Sequence, residues 1–362
     1  MIIILRANII HKLRWILILS LMILASFLAK AENLKKIIDL EGTWKFSVGD
    51  NPAWTDLEYS DKDWDNVTVP QSWENDGFAD YDGYAWYRKD FMFNNEISEE
   101  SLLLILGFID DVDEVYLNGQ LIGGMGVMPP KVITAHRILR KYPLPMELLN
   151  ISSKNVIAVR VFDEYHEGGI YAGPVGIFYD QDNDLLALNL AGYWDFETQF
   201  KEDRTNDRYY NQLKGKIYVP GYWDSFGFSM FDGTASYSTK FELPKSILDT
   251  DLMLVLGYID DIDKVYLNNE RIGTVEDLKK EDNKDKPYDL ILRGYQIRSG
   301  LLKKNGINFL EVKVYDTGGL GGIYEGPIGL ISANNFELLH RKEEKSFYNF
   351  WESFFNELFK WD

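Results

Sequence analysis

The sequence predicts an all-β protein: two tandem jelly-roll β-sandwiches followed by a short C-terminal helix. Three observations predict it. The chain repeats itself, its apolar residues alternate with period two, and glycine, proline and asparagine punctuate it at short intervals. The repeat shows most clearly in LGFIDDVDEVYLNG, Leu106 to Gly119, which returns as LGYIDDIDKVYLNN, Leu256 to Asn269, at an offset of 256 − 106 = 150. LEGTWKF at Leu40 to Phe46 pairs with LAGYWDF at Leu190 to Phe196, and VPQSWENDGF at Val69 to Phe78 with VPGYWDSFGF at Val219 to Phe228, at the same offset. VRVFD at Val159 to Asp163 pairs with VKVYD at Val312 to Asp316, and GGIYAGPVGI from Gly168 with GGIYEGPIGL from Gly321, where the offset is 321 − 168 = 153. The extra residues belong to the charged stretch VEDLKKEDNKDK.

The first element, residues 1–31, is predicted to be a secretory signal. Arg6, Lys12 and Arg14 precede the apolar run Trp15 to Leu28, and Ala29-Lys30-Ala31 follows as an A-x-A cleavage site before Glu32. The run is shorter than the ~20 residues a membrane helix needs. Cleavage takes four positive charges from a chain whose net charge is already −19. Such a surface repels nucleic acid and anionic lipid, so no nucleic-acid partner is expected. Cysteine is absent, so core burial and not disulfides must hold an exported domain together, and a lipid anchor on cysteine is excluded. The expectation is a secreted or periplasmic protein.

Residues 32–181 and 182–332 form the two predicted sandwiches. Ile157, Val159 and Val161 alternate with Ala158, Arg160 and Phe162; Leu310, Val312 and Val314 alternate with Glu311, Lys313 and Tyr315, which is the pattern of a half-buried strand. Asn118-Gly119 suits a type I′ hairpin turn, whose two central residues need positive φ, and Asn268-Asn269 can fill the same turn. The glycines of Tyr171-Ala172-Gly173-Pro174 and Tyr324-Glu325-Gly326-Pro327 are read as turn glycines, because no lysine or helix start accompanies them to make a phosphate loop. Short strands punctuated this way point to a sandwich or jelly roll. Residues 333–362 form the last element. Phe347, Phe350, Phe354, Leu358 and Trp361 recur at steps of three and four, giving a helix an aromatic face that either docks on a sandwich or meets a protein partner or membrane interface.

The run WYRKDF, then LGFIDDVDEVYLNGQLIG, RKYPLP, NVIAVRVFD and GGIY resembles the sugar-binding, galactose-binding-like jelly-roll domain of glycoside hydrolase family 2. It is most similar to the version inserted in sialate O-acetylesterases, and the resemblance covers each repeat from end to end. It implies a domain that binds a glycan or glycoconjugate. Family 2 hydrolases carry their catalytic glutamates on a separate barrel of ~250 residues, for which two sandwiches leave no room here. The esterases use a serine hydrolase domain with a D-x-x-H segment. Asp163-Glu164-Tyr165-His166 has that form, but its counterpart Asp316 is followed by Thr317-Gly318-Gly319, so the aspartate belongs to the shared fold and the histidine is incidental. The expected function is thus non-catalytic carbohydrate binding. The alternatives are a scaffold or an accessory subunit of a glycosidase or sialate O-acetylesterase, and a hydrolase acting through carboxylates such as Glu74, Asp76 and Glu164.

Candidate ligand contacts in the first repeat are Trp73, Tyr84, Trp86 and Tyr171, whose rings could stack on a pyranose, with Arg88, Arg140 and Asp163 for the hydroxyls. Trp86 and Arg88 become Ser236 and Ser238 in the second repeat, which would confine that mode of binding to the first. Trp44 and Trp194 are read as core. Asp110, Asp111 and Asp113, with their twins Asp260, Asp261 and Asp263, repel one another unless something offsets them. Pairing with Arg88, Arg140 and Arg293, alongside Asp316, makes them a structural charge cluster. Hydrogen bonding to ligand and a structural calcium ion are the alternatives, although the glycine and closing glutamate of an EF-hand are missing. No other cofactor is expected.

Overall fold

The structure, a computed structural model, describes residues 33–94, 102–198, 214–228, 231–247, 251–279, 283–284 and 286–358, with side chains as far as residue 345. The expected signal segment and the aromatic face of the terminal helix lie outside the residues and side chains described. In the first repeat the strands are β1 (Leu34–Asp39), β2 (Gly42–Val48), β3 (Asp65–Val69), β4 (Gly83–Met92), β5 (Leu102–Asp110), β6 (Val112–Leu117), β7 (Gln120–Met125), β8 (Leu139–Leu144), β9 (Lys154–Asp163) and β10 (Gly169–Asp180). They form a six-stranded sheet in the order β3-β2-β4-β9-β6-β7 and a four-stranded sheet in the order β1-β10-β5-β8. Neighbouring strands are antiparallel.

The second repeat lays down β11 (Leu186–Asn189), β12 (Gly192–Thr198), β13 (Lys214–Val219), β14 (Gly233–Phe241), β15 (Leu252–Asp260), β16 (Ile262–Leu267), β17 (Glu270–Gly273), β18 (Arg293–Gln296), β19 (Asn308–Asp316) and β20 (Gly322–Ser332). Their sheet orders, β13-β12-β14-β19-β16-β17 and β11-β20-β15-β18, reproduce those of the first repeat strand for strand. A short helix, α1 (Val275–Lys279), occupies the stretch where the offset changes from 150 to 153.

Each sandwich closes over its own core, one built around Trp44, Phe46, Trp73, Tyr87 and Tyr142, the other around Trp194, Phe196, Trp223, Tyr237 and Tyr295. The recurrent tryptophans are therefore packing residues. The indole N–H of Trp44 donates to Leu40 O at 2.7 Å and that of Trp194 to Leu190 O at 2.8 Å, so neither ring carries an unsatisfied donor into the core. The recurrent glycines are fixed by the same rings. A Cβ on Gly168 would stand 2.2 Å from Trp73, and one on Gly321 2.0 Å from Trp223. At Asn118-Gly119 and Asn268-Asn269 all four residues have positive φ, as a type I′ turn requires.

The terminal helix, α2 (Ala333–Leu358), docks its first turns on the outer face of the second repeat's four-stranded sheet, where Phe336 and Leu339 meet Met253, Val255, Tyr258 and Ile331. Gly294 makes room for it: a Cβ there would lie 2.1 Å from Phe336. Asn335 donates to Leu185 O, Lys342 pairs with Asp182, and Tyr258 donates to Glu343 at 2.8 Å. Among the described residues no helix is long and apolar enough to cross a membrane. Between the sandwiches, Lys141 bridges to Glu325 at 2.8 Å.

Candidate functional site

The repeated acidic string divides into two parts with different physical roles. Asp113 and Arg140 are both fully buried, and Arg140 Nε donates to Asp113 at 2.6 Å. The other four guanidinium donors go to the carbonyls of Ala135, Ile138, Ile109 and Asp111, and Tyr142 donates its hydroxyl to the second Asp113 oxygen. Every Arg140 donor is thus used inside the protein. The second repeat copies the arrangement, with Arg293 donating to Asp263 at 3.0 Å and to Tyr288, Ile291, Ile259 and Asp261 carbonyls, and Tyr295 donating to Asp263. This network ties β5, β6 and β8 together, and the same is true of β15, β16 and β18.

Asp110 and Asp111 lie at the edge and are half-buried. Both the Asp110-Asp111 and the Asp260-Asp261 peptide bonds are cis. Burial, a hydrogen bond to Asp111 and the Asp111 charge push the Asp110 carboxyl up to about 7. Burial acts the same way on Asp111, but hydrogen bonds from Thr134, Asp110 and the Glu164 N–H hold it below the usual carboxylate range. His136 joins them: one ligand atom from each of Asp110, Asp111 and His136 lies within 4.8 Å of the others. Beside this group, Tyr171 donates its hydroxyl to His136 O at 2.9 Å, and its ring lies 6.3 Å from that of Phe108. Both rings are half-buried, and Tyr165 on the neighbouring loop is 66% exposed.

Five of the seven residues expected to contact ligand are interior, which corrects that expectation. Trp73 packs in the core, and Arg140 is spent as described. Trp86 and Arg88 do project outward from β4, opposite Ala85 and Tyr87, but the loop around 50–64 covers them. Trp86 donates to Asp50 at 3.1 Å and its ring stacks 5.8 Å from Tyr116. Arg88 donates to Asp61 at 2.9 Å and to the carbonyls of Trp54 and Tyr59. Arg88 therefore does not pair with the acidic string. Asp163 is buried with neither carboxylate oxygen hydrogen-bonded among the described residues, and burial together with the charges of Asp111, Asp82 and Glu74 raises it to about 7. Tyr84 is half-buried on the sheet's outer face, where the Arg160 guanidinium sits 4.6 Å from its ring centroid. Tyr171 alone of the seven joins a mixed aromatic and polar edge.

Glu74 and Asp76 are held by backbone donors, whereas Glu164 is exposed. Glu74 accepts from Gly168 N at 3.2 Å, as Asp224 does from Gly321 N at 3.0 Å, and Asp76 accepts from Thr68 N at 2.7 Å. His166 is exposed while Asp163 is buried.

The equivalent edge of the second repeat carries additional cover. Tyr258, the counterpart of Phe108, lies under α2, and Tyr324, the counterpart of Tyr171, stacks on Tyr222 with centroids 4.9 Å apart and planes 1° apart. In the first repeat the position of Tyr222 is Ser72, too small to cover the Tyr171 ring. Phe108, Ser72 and His136 were missed in the sequence. The repeat offset that aligns His136 with Asp289 and Ser72 with Tyr222 was the signal that could have found them.

The chain is similar to a Formosa agariphila protein provisionally named a beta-glucuronidase, at 26% identity over 172 residues; the match takes in 42% of this chain and 16% of that protein. Among solved structures it is similar to Bacteroides uniformis beta-glucuronidase, at 16% identity and a TM-score of 0.36, over 80% of this chain and 28% of that one. It is also similar to a beta-glucuronidase from glycoside hydrolase family 2, at 14% identity and a TM-score of 0.36, over 78% of this chain and 27% of that one. No family model matches the chain. The chain spans less than a third of the length of each of these proteins.

Proposed function

We propose that this is an exported, non-catalytic carbohydrate-binding protein that holds a glycan at the β5–β10 edge of its first sandwich. The observation that carries this reading is the grouping of half-exposed Phe108 and Tyr171 rings with Asp110, Asp111 and His136. A flat apolar ring suits the apolar face of a pyranose, and adjacent carboxylates and an imidazole suit its hydroxyls. The second sandwich, with Tyr258 under α2 and Tyr324 stacked on Tyr222, supports the first and anchors α2. The similarity to proteins named as beta-glucuronidases makes uronic-acid-terminated glycans the first ligands to try, and an accessory role beside a glycosidase or sialate O-acetylesterase fits the same reading. A glycan array probed with the purified chain tests it. Saturable binding to a defined set of terminal sugars is expected; no binding to any glycan would overturn the reading in favour of an interaction scaffold.

A further inference from the structure

In the second repeat, β15 ends at Asp260, the turn into β16 carries Asp261, and β19 ends at Asp316, so three carboxylates meet where three strand ends converge. One oxygen from each lies within 4.8 Å of the others. Asp289, from the turn Tyr288–Leu290 that precedes β18, adds a fourth negative charge felt by Asp260. Arg293 donates to none of these carboxylates, because all five of its donors are committed to Asp263 and to backbone carbonyls.

A second observation is independent of this charge count. Asp316 is 1% exposed; its Oδ1 accepts from Gly318 N at 3.0 Å, but its Oδ2 has no hydrogen-bond partner among the described residues. A buried carboxylate oxygen left open costs free energy unless something binds it. Asp261 is held in place for the same space, accepting from Thr317 N at 3.1 Å and from the Thr317 hydroxyl. We propose that Asp260, Asp261 and Asp316 bind a calcium-type divalent cation in the second sandwich. The donor set is all oxygen, which suits a hard cation, and the spread of the three oxygens fits ligands that each stand ~2.3 to 2.6 Å from a shared ion. Water would complete the coordination. The first repeat has His136 where the second has Asp289, so its edge mixes nitrogen with oxygen and carries less negative charge. Asp163, the buried counterpart of Asp316, also has open carboxylate oxygens, but it is not among the grouped Asp110, Asp111 and His136 of the first repeat, so the three-carboxylate site belongs to the second repeat and stands apart from the glycan edge of the first.

The test titrates calcium chloride into chelator-treated full-length chain, by calorimetry and by thermal melting, with sodium chloride at equal ionic strength as control. One saturable site is expected, with a rise in melting temperature that sodium does not reproduce. Asp316→Asn should weaken calcium binding at least about tenfold, and without calcium should melt no lower than the native chain, since it removes an uncompensated charge. Asp260→Asn gives the same reading if the first variant does not fold. An equal calcium response in native and variant chains, or no response up to about 10 mM calcium, overturns the proposal.

Discussion

Substituting Asp113 by Asn should unfold the first sandwich well before the second. The change keeps the shape of the side chain but leaves the Arg140 guanidinium, fully buried, without its counter-ion. Breaking a buried pair from one side costs about 3 to 5 kcal/mol, and Asn, which can still accept from Nε, should fall near the lower end. For a domain of this size about 1 kcal/mol corresponds to roughly 2 to 4 °C, so the first transition should drop by roughly 6 to 12 °C. Arg140→Met should cost more, because the Ile109, Asp111, Ala135 and Ile138 carbonyls lose their donor together with Asp113. Calorimetry with hydrogen exchange on β5 and β6 assigns the loss to one sandwich, and Asp263→Asn should place the equivalent loss in the other. An unchanged melt in Asp113→Asn, or a milder effect from Arg140→Met, would show that this pair is not what ties β5, β6 and β8 together.

Further outcomes follow from the same geometry. Gly257→Ala should prevent the second sandwich from folding, because φ there is +53° and the new Cβ would stand 1.9 Å from Glu325 O; a soluble variant with a native melt would contradict this. Arg88→Ala should loosen the loop around 50–64 and open it to limited proteolysis without altering glycan binding, and a cleavage pattern identical to the native chain would count against the loop-anchor role. Asp163 titrates near 7 when folded and near 4 when unfolded, so the folded state binds the extra proton between those values. Its contribution is fully present below about pH 4 and is lost as pH rises through about 7. Melts of native chain and Asp163→Asn should therefore lie closest below about pH 4 and separate as pH rises through about 7, with the variant showing the flatter profile.

Much of this fold was legible because a repeat tests itself. The Asn118-Gly119 and Asn268-Asn269 turns, and the β9 and β19 alternation, follow from local rules that both copies obey. Burial was not legible in the same way. Trp86 and Arg88 sit at outward-facing positions of β4, where alternation predicts exposure, yet a loop from residues 50–64 folds back across them. No periodicity announces where a loop will lie. The crowded charges demand a counter-ion, and the sequence offers Arg88, Arg140 and Arg293 to the acidic string as a whole; that Asp113 alone pairs with Arg140, and that all five guanidinium donors end on internal acceptors, depends on the β8 register and the approach of the 135–138 turn. The reverse held for the candidate edge. Phe108 and Ser72 look unremarkable in sequence and gain meaning only when Tyr258 and Tyr222 show what covers the same position in the other copy.

The most direct measurement compares glycan binding by two variants of matched stability. A Tyr165→Ala, Tyr171→Ala chain changes the exposed edge, and a Trp86→Ala, Arg88→Ala chain changes the residues under the 50–64 loop. Binding lost in the first and kept in the second is the predicted result. Binding kept in the first and lost in the second would contradict the account and return the site to the outer face of the six-stranded sheet.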